Sequence, residues 1–188
     1  CYGNSHHHRP FPGVLSLSSP TYLAVVAEIL EGLVLSGFRK LVVLNGHGGN
    51  TDSNNGGALD FVHRLGHDVL IGAGAYWDIA RAAVVEKGLM PSNMIPGHAG
   101  RYETAMAMAI RPDLIDPDGL AQVQDLSKER EGLFRPLSGA TVQRHGVWAK
   151  STGYTDNPAA ASAEEGKALL EVIVGRVAEF FVAFDQSA

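Results

Sequence analysis

Two apolar segments separated by a helical stretch most restrict the folds open to this chain. Residues 40–44 form a short run rich in Val and Leu, and residues 68–75 form a second apolar run. Neither run alternates regularly between apolar and polar residues, which is typical of parallel strands buried on both faces. A helical pattern precedes the first run, and the segment through His63 can form a helix between the two. This order predicts an α/β fold whose parallel strands are covered by helices on both faces.

Helix signals give the remaining elements. Ser19 is suited to N-cap a first helix with Pro20 at its first position, and this helix is predicted over about residues 20–36. Its apolar positions are Leu23, Val26, Ala27, Leu30, Leu33 and Val34. Further helices are predicted over 78–86 and 101–110, and residues 141–143 are strand-like. A last helix follows Pro158, with an apolar stripe of Leu169, Val172, Ile173, Val177, Phe180, Phe181 and Phe184.

Composition argues against several kinds of partner. The 188 residues are 45% hydrophobic and 19% charged, which suits one domain over residues 1–188 with a sizeable core. A formal net charge of -5, without a long basic run, argues against nucleic acid. No apolar stretch reaches the roughly 18 residues of a membrane helix, and no leader opens the chain, so we expect a cytoplasmic protein without a membrane partner. The single cysteine, Cys1, excludes an internal disulfide framework.

The strongest chemical signal is the turn Asn45-Gly46-His47-Gly48-Gly49-Asn50, directly after the first predicted strand. Ligands of parallel sheets bind at the carboxyl ends of the strands, so this turn and the segment after Ala75 should share one functional edge. Its glycines permit close approach to a ligand, and the imidazole of His47 is suited to bind a metal. The alternative is a structural turn in which His47 only caps or hydrogen-bonds.

A second signal lies at a predicted helix start, in Gly97-His98-Ala99-Gly100-Arg101-Tyr102-Glu103-Thr104. A helical carboxylate at Glu103 can ligate a metal beside a general acid or base at His98. Alternatively, Glu103 only balances the helix dipole and His98 is a capping residue.

Two further segments offer side chains for a site. His6-His7-His8 indicates a metal site or an expression tag, and in extended backbone at most one or two of these side chains can reach one ion. Trp77, in Tyr76-Trp77-Asp78 after the second strand, either forms a wall for a small planar substrate or belongs to the core.

These segments, in this order, resemble the creatininase family of amidohydrolases. The matching segments are Tyr2-Gly3-Asn4-Ser5 with His8, Phe11-Pro12-Gly13, Leu15-Ser16-Leu17, the 45–50 turn, Tyr76-Trp77-Asp78, His98-Ala99-Gly100 with Glu103-Thr104, and residues 161–166. The resemblance implies a three-layer α/β/α fold with a mostly parallel sheet, often assembled into hexamers. It also implies hydrolysis of small cyclic or formyl amides at one or two divalent ions, with Zn, Mn or Fe as candidates.

The resemblance also assigns roles to residues. It implies that His47 and Glu103 are metal ligands and that His98 transfers a proton or orients the substrate. His8, Trp77, Gly48 and Gly49 are expected at the substrate, and His7 stands where many relatives carry Glu. With the site complete, metal-activated water would attack the amide carbonyl, and His98 would pass a proton to the departing nitrogen.

The departures from the family pattern concern ligands and substrate. Relatives begin with roughly 70 further residues that carry the remaining metal ligands, so metal binding by His47 and Glu103 alone should be weak. Creatinine-hydrolysing members have a Tyr-Glu pair where this chain has Gly48 and Gly49, which argues against creatinine itself. Arg101 replaces an acidic residue of many relatives, a change expected to alter the preferred substrate charge.

Three hypotheses follow for the chain. The first is a metal-dependent amidohydrolase whose missing segment is a companion chain, cleaved from a common precursor just before Cys1. The second is an N-terminal-nucleophile hydrolase, in which the thiol of Cys1 attacks and its own amino group is the base. The third is a non-catalytic subunit that binds a small molecule or stabilises an oligomer.

Overall fold

A parallel pair of strands lies where the sequence predicts it. In the computed structural model, which describes residues 3–127 and 145–187, β1 is Lys40–Asn45 and β2 is Leu70–Ala75. The strands run in register, with Lys40 opposite Leu70 and Asn45 opposite Ala75. β2 begins two residues later than predicted, since the backbone N–H of Val69 donates to the nearby carbonyl of His67 and not to β1.

Six α-helices lie in the described ranges. They are α1 (Ser19–Leu35), α2 (Thr51–Leu59), α3 (Tyr76–Glu86), α4 (Arg101–Ile110), α5 (Pro117–Ala121) and α6 (Ala163–Gln186), and a π-helical turn, Asp60–Arg64, continues α2. The predicted strand over 141–143 lies outside the described residues. None of these helices combines the length and the apolar character that a bilayer crossing requires.

The first helix departs from prediction in two details. Its N-cap is Ser18, one residue earlier than predicted, because the Ser18 hydroxyl accepts the backbone N–H of Thr21 while Ser19 is already helical. The helical spacing predicts Leu33 on the buried apolar stripe, yet 37% of its surface is exposed, and Ile29 is more exposed still. The buried face of α1 is therefore narrower than the sequence predicts, with Tyr22 and Leu30 as its buried residues.

By its contacts the chain divides into two compact units. Unit 1 comprises Cys1–Ile79 and Val177–Ala188, and unit 2 comprises Ala80–Arg176. The expectation of a single domain over the whole chain stays a prediction, and each unit is described by itself below.

Unit 1 is organised around the strand pair. On one face Leu30 of α1, Leu41 of β1 and Phe61 of the π turn form a buried cluster, joined by Val26, Ala27, Val34, Val43, Val69 and Ile71. On the other face, a β-carbon added at Gly72 would lie 3.2 Å from the ring of Phe184 in α6. The parallel pair therefore has helices on both faces, as the sequence predicts.

Unit 2 packs α4 against the first part of α6. A β-carbon at Gly166 of α6 would lie only 1.9 Å from the carbonyl oxygen of Ala105 in α4, so a glycine is required for this close approach. The buried residues of unit 2 include Val84, Met90, Ile95, Tyr102, Met106, Leu169 and Ile173. The predicted apolar stripe of α6 is only partly buried, since Phe181 in unit 1 keeps 42% of its surface exposed.

Candidate functional site

The turn after β1 is held by the buried side chain of Asn45. Its amide nitrogen donates to the carbonyl of His47 at 2.8 Å and to the hydroxyl of Thr51 at 3.0 Å. Its amide oxygen accepts the backbone N–H of His47 at 3.1 Å. One side chain thus fixes the turn at the carboxyl end of the strand, where the sequence places His47.

The N-terminal segment lies against this turn. The backbone N–H of Asn4 donates to the side chain of Asn50 at 2.8 Å, although the two residues are 46 positions apart. The carbonyl oxygen of Asn4 lies 3.2 Å from Nε2 of His47. Because a carbonyl oxygen only accepts, this contact assigns the proton of neutral His47 to Nε2, and Nδ1 then carries the lone pair.

Three imidazoles meet where the two segments touch. His7, His8 and His47, the histidine cluster, each offer one ligand atom, and these atoms all lie within 4.8 Å of one another. The rings of His7 and His47 are parallel, 2° apart, with centroids separated by 5.9 Å. The ring of His8 lies 3.9 Å from that of His7 and 5.8 Å from that of His47, centroid to centroid.

The local backbone decides which of the three adjacent histidines join the cluster. His6–His8 form a 3-10 turn rather than an extended segment. His6 is exposed and its Nδ1 bonds the hydroxyl of Ser16 at 2.6 Å, whereas His8 is buried. Two of the three side chains, those of His7 and His8, therefore enter the cluster from a 3-10 turn, whereas the limit of one or two was predicted for extended backbone.

The surroundings of His7 favour neutral imidazole, the form that binds metals. Burial lowers the pKa of His7, and the neighbouring His47 and His6 lower it further. The hydroxyl of Ser5 lies 2.9 Å from Nδ1 of His8. A hydrogen bond to one ring nitrogen orients a histidine so that its other nitrogen faces an ion.

The two glycines after His47 have different surroundings. A β-carbon at Gly49 would lie 2.2 Å from the carbonyl oxygen of Asn4 and 2.7 Å from Nε2 of His47, whereas one at Gly48 would meet nothing within 4 Å. Gly49 therefore permits the two segments to touch. The expected role of both glycines in substrate binding stays a prediction.

In unit 2, the turn over residues 97–100, the His98 turn, leads directly into α4. The backbone N–H and carbonyl of His98 bond the hydroxyl and N–H of Thr155 at 2.9 and 2.8 Å. The imidazole is half-buried and meets the ring of Trp148 edge-on, with centroids 4.8 Å apart. The predicted catalytic role of His98 stays a prediction.

Glu103, in the first turn of α4, bonds back to the His98 turn. Its carboxylate accepts the backbone N–H of Ala99 at 2.6 Å. Burial raises the pKa of Glu103 and the nearby carboxylate of Asp156 adds to the rise, while the bond from Ala99 opposes it. The carboxylate of Glu103 thus acts at the N-terminal end of α4, where the sequence also offered a structural role. The role of Glu103 as a metal ligand stays a prediction.

Asp156 connects the elements of this turn. Its side chain is 1% exposed, and its backbone has a left-handed φ of 51°. One carboxylate oxygen accepts the backbone N–H groups of Arg101 and Asn157 at 2.8 and 2.9 Å, and the other accepts the hydroxyl of Thr155 at 2.9 Å. Asp156 thus caps α4 from a distant loop and fixes the His98 turn.

Three other expected residues are placed as follows. Trp77, at the start of α3, is 4% exposed and packs edge-on against Tyr76, so its side chain lies in the core. Nη2 of Arg101 lies 2.7 Å from Oε1 of Glu165, and this ion pair offers a structural reason for a basic residue at position 101. Cys1 lies outside the described residues.

No sequence pattern singles out several residues of these sites. Ser5, Thr155 and Asp156 act through hydrogen bonds, and of the three only Ser5 lies in a segment that the resemblance singled out. Thr155 and Asp156 lie in a polar loop before the 3-10 turn Pro158–Ala160, which precedes α6. A buried aspartate in such a loop has no periodic pattern that would indicate it.

Comparisons with known proteins extend these observations. The family model "Creatininase: Creatinine amidohydrolase" matches residues 1–181. The chain belongs to the creatininase family. Creatinine amidohydrolase of Pseudomonas putida is 29% identical over 184 residues, covering 94% of this chain and 66% of the relative. The mycofactocin precursor peptide peptidase of Mycobacterium ulcerans is 27% identical over 176 residues, covering 92% of this chain and 60% of the relative.

Solved structures agree with the fold. A crystal structure of creatinine amidohydrolase (creatininase) has a TM-score of 0.70 and 29% identity, covering 95% of this chain and 70% of that one. A mutant creatininase of the "Zn-Zn type" has a TM-score of 0.70 at 26% identity, with 95% and 70% coverage. A structure named "Creatininase Mn" has a TM-score of 0.68 at 28% identity, with 90% and 65% coverage. The predicted α/β, creatininase-like fold is confirmed.

The chain spans less than two thirds of the length of the curated relatives just described, 66% and 60%. What those proteins do as whole chains therefore enters only as a proposal for this one. The companion chain, the hexamer and the cytoplasmic location expected from the sequence stay predictions.

Proposed function

We propose that this chain is a metal-dependent amidohydrolase that cleaves a C–N bond of a small cyclic or formyl amide with metal-activated water. The histidine cluster carries the proposal, because three imidazoles from two distant segments converge beside the strand end that the sequence marks as the functional edge. Zinc and manganese structures among the family relatives support a divalent ion.

The donor set of the cluster fits such an ion. Catalytic zinc sites commonly use three protein ligands and keep one position for water, and three histidines form one such set. From the sequence, only His47 and Glu103 are expected as ligands of this chain, and two ligands predict weak metal binding. With His7 and His8 beside His47, the described residues of unit 1 by themselves offer three donors.

The residues of the chain then have defined tasks. His7, His8 and His47 would hold the ion, and Asn45 keeps His47 in place through three hydrogen bonds. A bound divalent ion supplies a water with a pKa of about 7 and polarises a carbonyl oxygen. Because the pKa of His7 is lowered, His7 stays neutral and able to ligate at neutral pH.

His98 is proposed as the group that transfers the proton to the departing nitrogen. The contacts of its backbone with Thr155 fix the position of its Cα within unit 2. We expect His98→Ala to lose turnover and to keep its metal. Loss of metal from that variant would instead make His98 a ligand.

The substrate class admits a second candidate. Relatives include a peptidase, the mycofactocin precursor peptide peptidase, as well as a creatinine amidohydrolase. A peptide bond is therefore the alternative to a small cyclic or formyl amide, and a substrate panel must contain all three.

The experiment uses the full chain, purified without an affinity tag and treated with chelator. Metal content is measured after reloading with Zn²⁺ or Mn²⁺, and hydrolysis is measured on cyclic amides, N-formyl compounds and peptides. We expect activity that disappears with chelator, returns with metal and is absent from His47→Ala. Cys1→Ser should retain activity.

Three results would contradict the proposal in different ways. Activity that survives metal removal and is lost in Cys1→Ser would favour the N-terminal nucleophile. Bound metal without hydrolysis of any substrate would favour the non-catalytic subunit. Absence of stoichiometric metal binding would reject the histidine cluster as a metal site.

A further inference from the structure

The histidine cluster contains nitrogen donors only. Its three members are imidazoles, and no carboxylate of the described residues belongs to this group of mutually close ligand atoms. Donor type decides which divalent ions a site prefers. Imidazole suits Zn²⁺, Cu²⁺, Fe²⁺ and Ni²⁺, whereas carboxylate oxygen suits Mg²⁺, Ca²⁺ and Mn²⁺.

The packing around His47 explains why the third donor comes from residue 7. Position 49 cannot carry a ligand side chain, because even a β-carbon there would lie 2.2 Å from the carbonyl oxygen of Asn4. The same β-carbon would lie 3.1 Å from Cε1 of His7, so the ring of His7 occupies the adjoining space. His7 is thus the side chain that closes this side of the cluster.

His7 is also held in a defined orientation. Its ring is parallel to that of His47 and close to that of His8, and the 3-10 turn fixes its backbone relative to His8. The ring of His47 contacts the carbonyl of Asn4, and the ring of His8 contacts the hydroxyl of Ser5. A change at residue 7 therefore alters one donor of the set while these two hydrogen bonds remain.

We propose that His7 determines the metal preference of this site, and that the all-imidazole cluster takes a nitrogen-preferring ion of the Zn²⁺ type over Mn²⁺. The inference rests on the proposed function, because it presupposes that the cluster binds a metal. It goes further than that function because it names the class of ion that the site prefers and the residue, His7, that determines this preference.

The test measures metal affinity and not activity. Affinities of the full, untagged chain for Zn²⁺ and for Mn²⁺ are obtained by competition with a chromogenic chelator. The variants are His7→Glu, which exchanges the nitrogen donor for a carboxylate, and His7→Ala, which removes it. His6→Ala is the matched control, because His6 is an adjacent, exposed histidine outside the cluster.

The expected pattern separates the variants clearly. His7→Ala should lose at least about 100-fold in Zn²⁺ affinity, more than loss of an outer partner usually costs. His7→Glu should lower the ratio of Zn²⁺ to Mn²⁺ affinity at least about tenfold, chiefly by strengthening Mn²⁺ binding. His6→Ala should leave both affinities within about threefold of the parent chain, because it removes no member of the donor set.

Two results would overturn the inference, and they are distinguishable. If the parent binds Zn²⁺ and His47→Ala weakens it, yet His7→Glu keeps the parent ratio, His7 does not set the preference and the proposed function stands. If His47→Ala has no effect, or His6→Ala weakens binding as much as His7→Ala, the histidines act as an unstructured tag and both proposals fail. Circular dichroism confirms that each variant is folded before its affinities are compared.

Discussion

The histidine cluster and the His98 turn are built in opposite ways. In the cluster, one potential ligand atom from each of three side chains lies within 4.8 Å of the others, and ring nitrogens of His47 and His8 contact the carbonyl of Asn4 and the hydroxyl of Ser5. In the His98 turn and the first residue of α4, backbone N–H groups of His98 and Arg101 donate to the side chains of Thr155 and Asp156. The first arrangement suits the binding of an ion, whereas the second suits the positioning of a residue.

Because of this difference, we expect substitutions in the two regions to affect different properties of the chain. A change at Asp156, beside the His98 turn, should mainly affect stability, because it leaves two partly buried backbone donors without their acceptor. A change in the histidine cluster should mainly affect metal affinity, since an ion contributes no stability to the metal-free chain.

The largest effect is expected at Asp156. Asp156→Ala removes the acceptor of two backbone N–H groups and of the Thr155 hydroxyl, and places alanine at a φ of 51°. We expect it to lower the free energy of unfolding by about 3 kcal/mol, measured by urea denaturation of the metal-free chain.

Asp156→Asn is the matched variant for this position. Asparagine tolerates the left-handed conformation and keeps one oxygen acceptor, so its cost should be only about 1 kcal/mol. Equal losses in the two variants would show that charge, and not the backbone acceptor, accounts for the role of Asp156.

An intermediate effect is expected at Gly49. Gly49→Ala should lower the free energy of unfolding by about 2 kcal/mol, because its β-carbon would collide with the carbonyl of Asn4. The same displacement separates the N-terminal segment from the turn, so Zn²⁺ affinity should fall at least about tenfold.

Gly48→Ala is the control for this experiment, since a β-carbon there meets nothing within 4 Å. It should change the free energy of unfolding by less than about 1 kcal/mol and leave Zn²⁺ affinity unaltered. Similar behaviour of the two variants would mean that the contact between Asn4 and Gly49 does not hold the cluster together.

The smallest effect concerns Glu103 and depends on pH. Its folded-state pKa is raised above the ordinary value of 4.5, so the metal-free folded chain binds more protons than the unfolded chain just above that pH. Stability from this group is therefore present below pH 4.5 and is lost as the pH rises through the folded pKa. Glu103→Gln, which keeps an acceptor for Ala99, should raise the melting temperature at pH 7 by about 2 °C.

The advantage of the Glu103→Gln variant should vanish in acid. Melting curves of parent and variant are compared from pH 4 to pH 8 in the presence of chelator. A variant that is less stable than the parent at pH 7 would show that the negative charge of Glu103 stabilises α4 more than burial disfavours it.

Local patterns predicted most of the fold. The strand pair, α4 and the helices on both faces of β1 and β2 were predicted from apolar runs, helical spacing and end signals. The exposed Leu33 and Phe181 were not anticipated, because spacing defines an apolar face but not how much of it neighbouring elements cover. The family is identified from several motifs that occur in the same order as in its members. No single short motif would identify it.

The candidate site was predicted only in part. His47, His98 and Glu103 lie at element ends where the sequence places them. His7 lies near His47 because the N-terminal segment contacts the turn through Asn4 and Asn50. Asp156 caps α4 through Arg101, which is 55 positions away in the sequence. Such pairings are decided by tertiary packing, so no local periodicity indicates them.

The most direct test of the account is X-ray absorption spectroscopy at the zinc edge on the Zn²⁺-loaded, untagged chain. We predict nitrogen ligands at about 2.0–2.1 Å with outer-shell scattering from three imidazoles, reduced to two in His7→Ala. A shell of oxygen or sulfur only, or a spectrum unchanged in His7→Ala, would contradict the histidine cluster as the metal centre of this protein.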